Sequence, residues 1–466
     1  MILHCGNVRT RAEATPAELA WLDSYLAVPS PGAEYSEAFQ AKRWDGKDHL
    51  LNKRTQSFPT GLVRPILNQA ARDGVDVALL DERERPQAAF EPGRAPWLRP
   101  YQSEALAAFL RRTRGILRMP TGSGKTEVFC ALGAGFPTLR TLVLVDTREL
   151  LHQAADRYEA RTGEQAGRVG DGVWESVGRN FVVATLQTLH SQLKEPGTQR
   201  LLDSARVLVV DEVQVLPAKT YEAVANTCVN AYWRLGTSAT PVGRSDSRDY
   251  LAVGVTGPIC HEVRRQDLVD AGVVASSRVV FASLIHPRTT GSYAAVYDAL
   301  VAREGPRNDL VLELVRRAPR PTLVFVRLIQ HGQYLERAIG REARTEFVHG
   351  ATESRAPALE RLQRGDIDVL VCSKIFNKGI DIPLAASAVN AAAGESSIDA
   401  LQRLGRLSRV AAGKTSFTFF DVYDDGPAGP LRKHARSRVE AYRGDGHEVE
   451  ILNPGDLPRV IASGPR

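Results

Sequence analysis

The stretch RMPTGSGKTE, residues 118–127, closes a short apolar run and opens a helical pattern. Gly122, Ser123 and Gly124 leave the backbone bare enough for its N–H groups to wrap phosphate oxygens at a helix N-terminus. Lys125 is placed to reach the outer phosphates, and the Thr126 hydroxyl to bind Mg2+. Thr121 belongs to the same turn, and Met119 stands where the general pattern has its first glycine. Such a turn needs a strand behind it and a helix ahead of it, which points to an α/β fold with parallel sheets.

The surrounding sequence supports that fold. GILRM, TLVLVD, FVVAT, VLVVD and RLGTSAT recur between helical stretches from Gly115 onward. After a break near residues 280–295 the pattern resumes with TLVFV, TEFVHG, DVLVCS, SAVNAA and SFTFFDVYD. Continuous apolar strands between helices read as parallel sheets covered on both faces. Two such series predict tandem α/β domains over 96–280 and 281–466, behind a small α+β domain over 1–95. In that first segment, TPAELAWLDSYLAV reads as a helix with Thr15 as N-cap, MILHCGNVRTRAEA and 39–63 read as strands and turns, and DERERPQAAFEPGRAPW reads as a linker.

Bulk composition sets the outer limits. A length of 466 residues suits two or three domains, and 43% hydrophobic with 24% charged residues is ordinary for a globular chain. The formal charge of +6, carried mainly by arginine, allows a polyanionic partner. Five scattered cysteines with no CxxC pair argue against zinc and suit buried thiols in a reducing compartment. No apolar signal core or membrane-length run occurs, so the expected setting is the cytoplasm of a bacterium or phage-infected host.

RVLVVDEVQVLPAKTY (206–221) supplies a second acidic element. A buried strand that delivers Asp211 and Glu212 suits Mg2+ coordination by the first and water activation by the second. Downstream stand TSATP (237–241), NKGIDIP (377–383) and QRLGRLSR (402–409).

In this order the four motifs resemble those of superfamily 2 helicases, over nearly the whole chain. The resemblance implies two RecA-like motor domains, ATP and Mg2+ as cofactors, and nucleic acid as partner. It also implies Arg406 and Arg409 as arginine fingers, Gln402 as a polar contact, and Gly379 and Asp381 in the fifth motif's signature positions. In WLRPYQ (97–102), Gln102 would read the adenine edge, with Arg99 or Tyr101 against its ring. Ser238 and Thr240 of TSATP would couple the ATP site to nucleic acid, together with Gln214, whose neutral amide can donate and accept toward TSAT. The expected strand contacts are Thr147, Arg148, Thr185, Gln187, His349, Ser373 and Lys374, at carboxyl ends of predicted strands. Asp146 takes a place that the family usually fills with proline.

Within the superfamily, the continuation through PAKT, LVDAGVVA (268–275) and ESSIDALQRLGRLSR (395–409) resembles the phage UvsW-type and XPB-like DNA helicases. FQAKRWDGKDHLL (39–51) and FPTGLV (58–63) resemble the small domain ahead of the UvsW-type motor. There Lys42, Arg43 and Lys47 form a local basic cluster around Trp44, although residues 1–95 hold 12 Lys/Arg against 13 Asp/Glu. The implied function is an ATP-dependent DNA helicase or translocase on branched or forked DNA. An RNA helicase, a translocase subunit of a nuclease or restriction system, and an inactive nucleic-acid scaffold are the alternatives.

Overall fold

A computed structural model describes residues 1–30, 32–214, 218–239, 247–289, 291–350, 352, 356–373, 384–394, 397–411, 414–427 and 429–457. The chain divides into two compact units, residues 1–119 with 124–263, and residues 120–123 with 264–466.

The first unit begins with a four-stranded sheet in the order Ser57–Pro59, Arg9–Glu13, Ile2–Cys5, Ala78–Asp81. The first two pairings are antiparallel and the last is parallel. One face buries Leu3, Ala12, Leu22, Phe58 and Ile66. Helix Pro16–Tyr25 starts as its sequence predicts: Thr15 and Glu18 form a reciprocal capping box, with proline in the first turn. Past the stretch 39–63 that was expected to be strands and turns comes helix Val63–Asp73, on residues given no expected structure, which buries Val63, Ile66 and Ala70 along one side. Its three-residue apolar spacing was hidden by the turn-like FPTG before it.

The stretch expected to be a linker is fastened down. Arg83 pairs with Asp81 at 2.7 Å and lies 4.8 Å over the Tyr232 ring, the Glu91 N–H donates to Gly135 O, and Arg94 donates to Ala134 O. Phe90 covers Gly135 so closely that a Cβ there would strike its ring. Charge and proline density suggested an unstructured connector, but Arg83 and Arg94 have found fixed acceptors.

The second sheet of this unit has eight strands. Its parallel body runs Gly167–Gly170, Phe181–Thr185, Arg140–Val145, Ala205–Val210, Trp233–Ser238, Arg114–Arg118, Ile259–Glu262, with Val173–Glu175 antiparallel at one edge. Strands Phe181–Thr185 and Trp233–Ser238 are buried throughout, which is why their sequences run apolar without alternation. At the amino end of strand Arg114–Arg118, the buried Arg114 guanidinium donates to Asn7 O at 2.6 Å, tying the small sheet to this one.

The second unit carries a seven-stranded, wholly parallel sheet. Its order is Thr345–Val348, Val369–Cys372, Thr322–Phe325, Ser387–Asn390, Ser416–Asp425, Ser276–Ile285, Glu448–Leu452. The sequence pattern suggested a break near 280–295, whereas Ser276–Ile285 is one continuous strand paired along its length with Ser416–Asp425. Both α/β domains are RecA-like in plan. Among the described residues, no helix is long and apolar enough to cross a membrane.

The small domain also meets the motor sheet's cover through Gly61. A Cβ there would run into the backbone carbonyls of Val253 and Gly254, which cannot swing aside as a side chain could. Gly61→Ala is therefore expected to destabilise the protein by about 1–3 kcal/mol, in the range of overpacked contacts. Gly197→Ala, with open space around it, is the control. Thermal unfolding of the two variants checks the difference.

Candidate ATP site and nucleic-acid contacts

The predicted site residues of the first unit gather at the carboxyl ends of its parallel strands. The Met119 N–H donates to Ser238 O at 2.8 Å, extending the ladder one residue beyond strand Arg114–Arg118. The chain then turns, with the Ser123 N–H on Pro120 O and with Gly122 and Gly124 at φ of 86° and 81°. That left-handed geometry favours glycine at both positions. Helix Lys125–Gly135 starts at Gly124 with no side chain capping its first turn, which leaves backbone donors for an anion.

Gln102, 3% exposed, lies against this turn. Its Oε1 accepts the Arg99 N–H at 2.9 Å, and a Cβ on Gly124 would come within 2.5 Å of its Nε2. Arg99, Tyr101 and Gln102 are thus set beside the phosphate turn by the start of helix Pro100–Arg112.

Asp211 and Glu212 leave the buried strand Ala205–Val210, and Glu212 has a left-handed φ of 48°. This turns the two carboxylates to different partners. Asp211 Oδ1 accepts the Thr237 hydroxyl at 2.5 Å and the Glu212 N–H at 3.1 Å. Glu212 accepts Lys125 Nζ on one oxygen and Gln214 Nε2 on the other, both at 2.6 Å. The Asp211 carboxyl is raised above the usual range, first by burial and then by the Glu212 charge, with Lys125 and the Thr237 hydroxyl opposing.

Gln214, expected to bond toward TSAT, instead donates to Glu212. Its Oε1 is buried without a partner among the described residues. The link from the acidic strand to TSAT is made by Thr237, which the sequence reading passed over in favour of Ser238. Its place in the same motif was the available signal. Thr240, Lys374, Gly379 and Asp381 lie outside the described residues.

Thr126 and Asp211 offer the hard oxygen donors that Mg2+ takes. Mg2+ sites commonly use one or two protein oxygens and complete the shell with phosphates and water, and this donor chemistry fits that pattern.

In the second unit, helix Ser397–Gly405 leads directly into Arg406 and Arg409. The segment is pinned from several sides. Ser408 O accepts the Ala275 N–H at 2.8 Å, the Ser408 hydroxyl accepts Arg265 Nη2 at 3.1 Å, and Leu407 O accepts Lys414 Nζ at 2.6 Å. Burial draws the Lys414 ammonium down to about 8. Arg403 donates to Asn390 Oδ1, Asn390 donates to Asp421, and Asp421 takes a two-pronged grip from Arg438. Arg409 remains exposed and Arg406 half-buried. Gln402 is nearly buried, and its Oε1 has no partner among the described residues. The supporting residues Arg265, Lys414, Asn390 and Asp421 were not predicted, and only Arg403 fell within a motif.

Thr147, Arg148, Thr185 and Gln187 share one pocket of about 380 Å³ with Asp146, Glu149, Asp171 and Thr188. Asp146, in the proline position, holds Gln187 Nε2 through both its carbonyl and its carboxylate, at 3.1 and 3.0 Å. Arg148 pairs with Asp171 at 3.0 Å. The Thr147 hydroxyl caps helix Arg148–Thr162, so that part of its work is structural. His349 and Ser373 end neighbouring strands, with the Ser373 N–H on Val348 O. Lys42 and Arg43 line a separate pocket in the small domain, whereas Lys47 lies on the adjoining strand Lys47–His49.

A phosphate turn and an acidic strand end in one RecA-like domain, and an arginine-bearing segment in the other, are the parts expected of the helicase class of P-loop proteins. Residues 96–243 match the family described as type III restriction enzyme, res subunit, and residues 306–411 match the helicase conserved C-terminal domain. The chain is 30% identical over 341 residues to the DNA 3'-5' helicase XPB of Kineococcus radiotolerans, covering 70% of this chain and 59% of that protein. It is 24% identical over 476 residues to the ATP-dependent DNA helicase uvsW of Enterobacteria phage T4, covering 90% of this chain and 92% of that one. Among solved structures, an HsdR subunit fragment of a type I restriction enzyme from Vibrio vulnificus shares the fold, with a TM-score of 0.55 and 20% identity over 77% of this chain and 70% of that chain. The chain belongs to the superfamily 2 helicases, as a relative of the UvsW and XPB types. It spans less than two thirds of the XPB relative's length.

The Asp211 environment gives a pH test. The raised carboxyl keeps its proton to higher pH than an exposed aspartate, so a cation-binding role fails as pH falls through that raised value. Glu212→Gln removes the neighbouring charge and lowers it. Fluorescent-nucleotide binding with Mg2+ should therefore survive to lower pH in Glu212→Gln than in the unmodified protein; coincident pH profiles would show that the Glu212 charge has no part in it.

Proposed function

We propose that this chain is an ATP-dependent DNA helicase or translocase that remodels branched DNA, by branch migration, fork regression or unwinding of D-loops or R-loops. Its setting would be recombination, repair or replication. The observation that carries this reading is the span of the uvsW similarity, which at 90% of this chain is too long for the two motor domains alone and so extends into residues 1–95. The XPB relative, named a DNA 3'-5' helicase, supports DNA as substrate and makes that polarity the first to test.

In this reading, ATP sits on the backbone donors of 122–125 with its base against Gln102. Lys125 exchanges Glu212 for the outer phosphates, which frees the Glu212 carboxylate to orient the attacking water. Thr126 and Asp211 would hold Mg2+, which would supply positive charge against the phosphates. Arg406 and Arg409 would stabilise the charge that develops on the transferred phosphoryl group. Gln214 holds Glu212 through its NH2 and keeps a buried acceptor in reserve, so it would couple turnover to DNA binding and take no part in the chemistry. Residues 1–95 would serve as a DNA-contacting accessory to the two motors, the second of which includes the whole strand Ser276–Ile285 and so begins before the expected boundary at 281.

A second reading, a translocase subunit of a restriction system, is favoured by the description of the family matched at 96–243 and by the HsdR fold. Co-purification of a nuclease or methyltransferase partner would favour it over the first.

Measuring ATPase stimulation by single-stranded, duplex, four-way and RNA ligands separates the substrates. The branched DNA is expected to stimulate most, and stimulation by RNA alone would sink the proposal. Gln214→Ala should lower DNA-stimulated kcat about three- to tenfold, the scale of one lost hydrogen bond, with ATP affinity near normal. Lys125→Ala should abolish turnover, and retained activity there would refute the site.

A further inference from the structure

The small domain carries a feature that phosphate contact alone does not explain. Between strands Ala27–Pro29 and Lys47–His49 the chain makes an excursion with its own pocket of about 570 Å³, lined by Glu34, Phe39, Gln40, Lys42, Arg43, Trp44 and Asp45. The volume falls within the range of small-ligand sites, about 300–1,000 Å³.

Its walls are built to stay put. The Trp44 indole N–H is fixed on Lys47 O at 2.8 Å. Phe39, 39% exposed, lies over Gly46, where a Cβ would come within 2.8 Å of the ring and where φ is 77°. Gly46 is thus required twice, for its backbone geometry and for the space it leaves. The Arg43 and Trp44 N–H groups both converge on Ala38 O, and Lys42 is held at a left-handed φ of 53°. Asp45 is occupied by His49 at 2.9 Å and by the Lys47 N–H at 3.1 Å.

Charge completes the picture. Lys42 and Arg43 are exposed, and no described carboxylate pairs with either, whereas Arg83, Arg148, Arg161, Arg168 and Arg344 are each tied to one. Two aromatic rings beside two uncommitted cations form a surface for a flat, uncharged ring whose attached chain is anionic. The Glu34 carboxylate in the same lining repels phosphate but accepts from an exocyclic amino group, so the base and not the backbone belongs inside.

We propose that this pocket takes an unstacked nucleobase of single-stranded DNA, with the flanking phosphates on Lys42 and Arg43. It would give the small domain a means of telling unpaired strand from duplex at a junction, because a base paired within a helix cannot enter. This rests on the DNA-motor reading above.

The test uses the full chain and three labelled oligonucleotides: a single strand, a blunt duplex of the same sequence, and a single strand with a run of abasic sites. Phe39→Ala is expected to weaken single-strand binding about tenfold, the scale of one lost base–aromatic stack. It should leave the duplex and the abasic strand bound as by the unmodified protein, and Phe39→Tyr should restore the loss. Lys42→Ala and Arg43→Ala should weaken both single strands alike and each reduce the salt slope by about one. Equal weakening of normal and abasic strands by Phe39→Ala would overturn the pocket. DNA-stimulated ATPase, measured alongside, separates the two failures: if it persists, only the pocket falls, and if the unmodified protein shows neither binding nor stimulation, the DNA-motor reading falls with it.

Discussion

The buried Asp211 carboxylate at the end of a parallel strand is the constraint around which the first motor domain is arranged. A charge taken out of water there must be met by fixed partners, and the sheet supplies them from neighbouring strands and from the acid's own chain. Thr237 comes from the adjacent strand, the Glu212 N–H from the next residue, and Lys125, held nearby on Glu212, lends its charge directly. Because strands in a fully covered sheet are apolar along their length, polar chemistry is confined to their carboxyl ends. The phosphate turn, the acidic pair and TSAT accordingly come together although they are far apart in the chain.

That confinement explains what could be read from sequence. The phosphate turn and QRLGRLSR are short and local, with spacing set by one turn or one helix, so GSGKT, Asp211 and Arg406 stood out. The RecA-like plan followed from the apolar strand runs for the same reason. What could not be read were partners chosen by topology. Lys414 reaches back seven residues to Leu407 O, Arg265 reaches Ser408 from 143 residues away, and Arg403 depends on Asn390, Asp421 and Arg438. No spacing rule links them. The connector at 83–95 misled for the opposite reason: its composition is that of a solvated segment, and only the fold shows which acceptors its arginines meet.

Gln214 shows how far a motif letter can be taken. Its identity said that a neutral amide stood after the acidic pair, and chemistry said that such a group can both donate and accept. The structure divides those two capacities between a bond to Glu212 and an acceptor without a described partner. Thr237 performs the bridging that the letter suggested for Gln214. The residue's position in the motif was informative, and its partner was not.

The hydrogen bond from Arg114 to Asn7 has a mechanical meaning. Strand Arg114–Arg118 starts under the small domain and ends at the residue that enters the phosphate turn. A strand is stiff along its axis, and this one is held on both edges by Trp233–Ser238 and Ile259–Glu262. A displacement of the small domain at Asn7 therefore acts on the near end of a strand whose far end leads into the glycine-bearing turn. The five residues between them form a short, laterally braced connection and not a flexible tether.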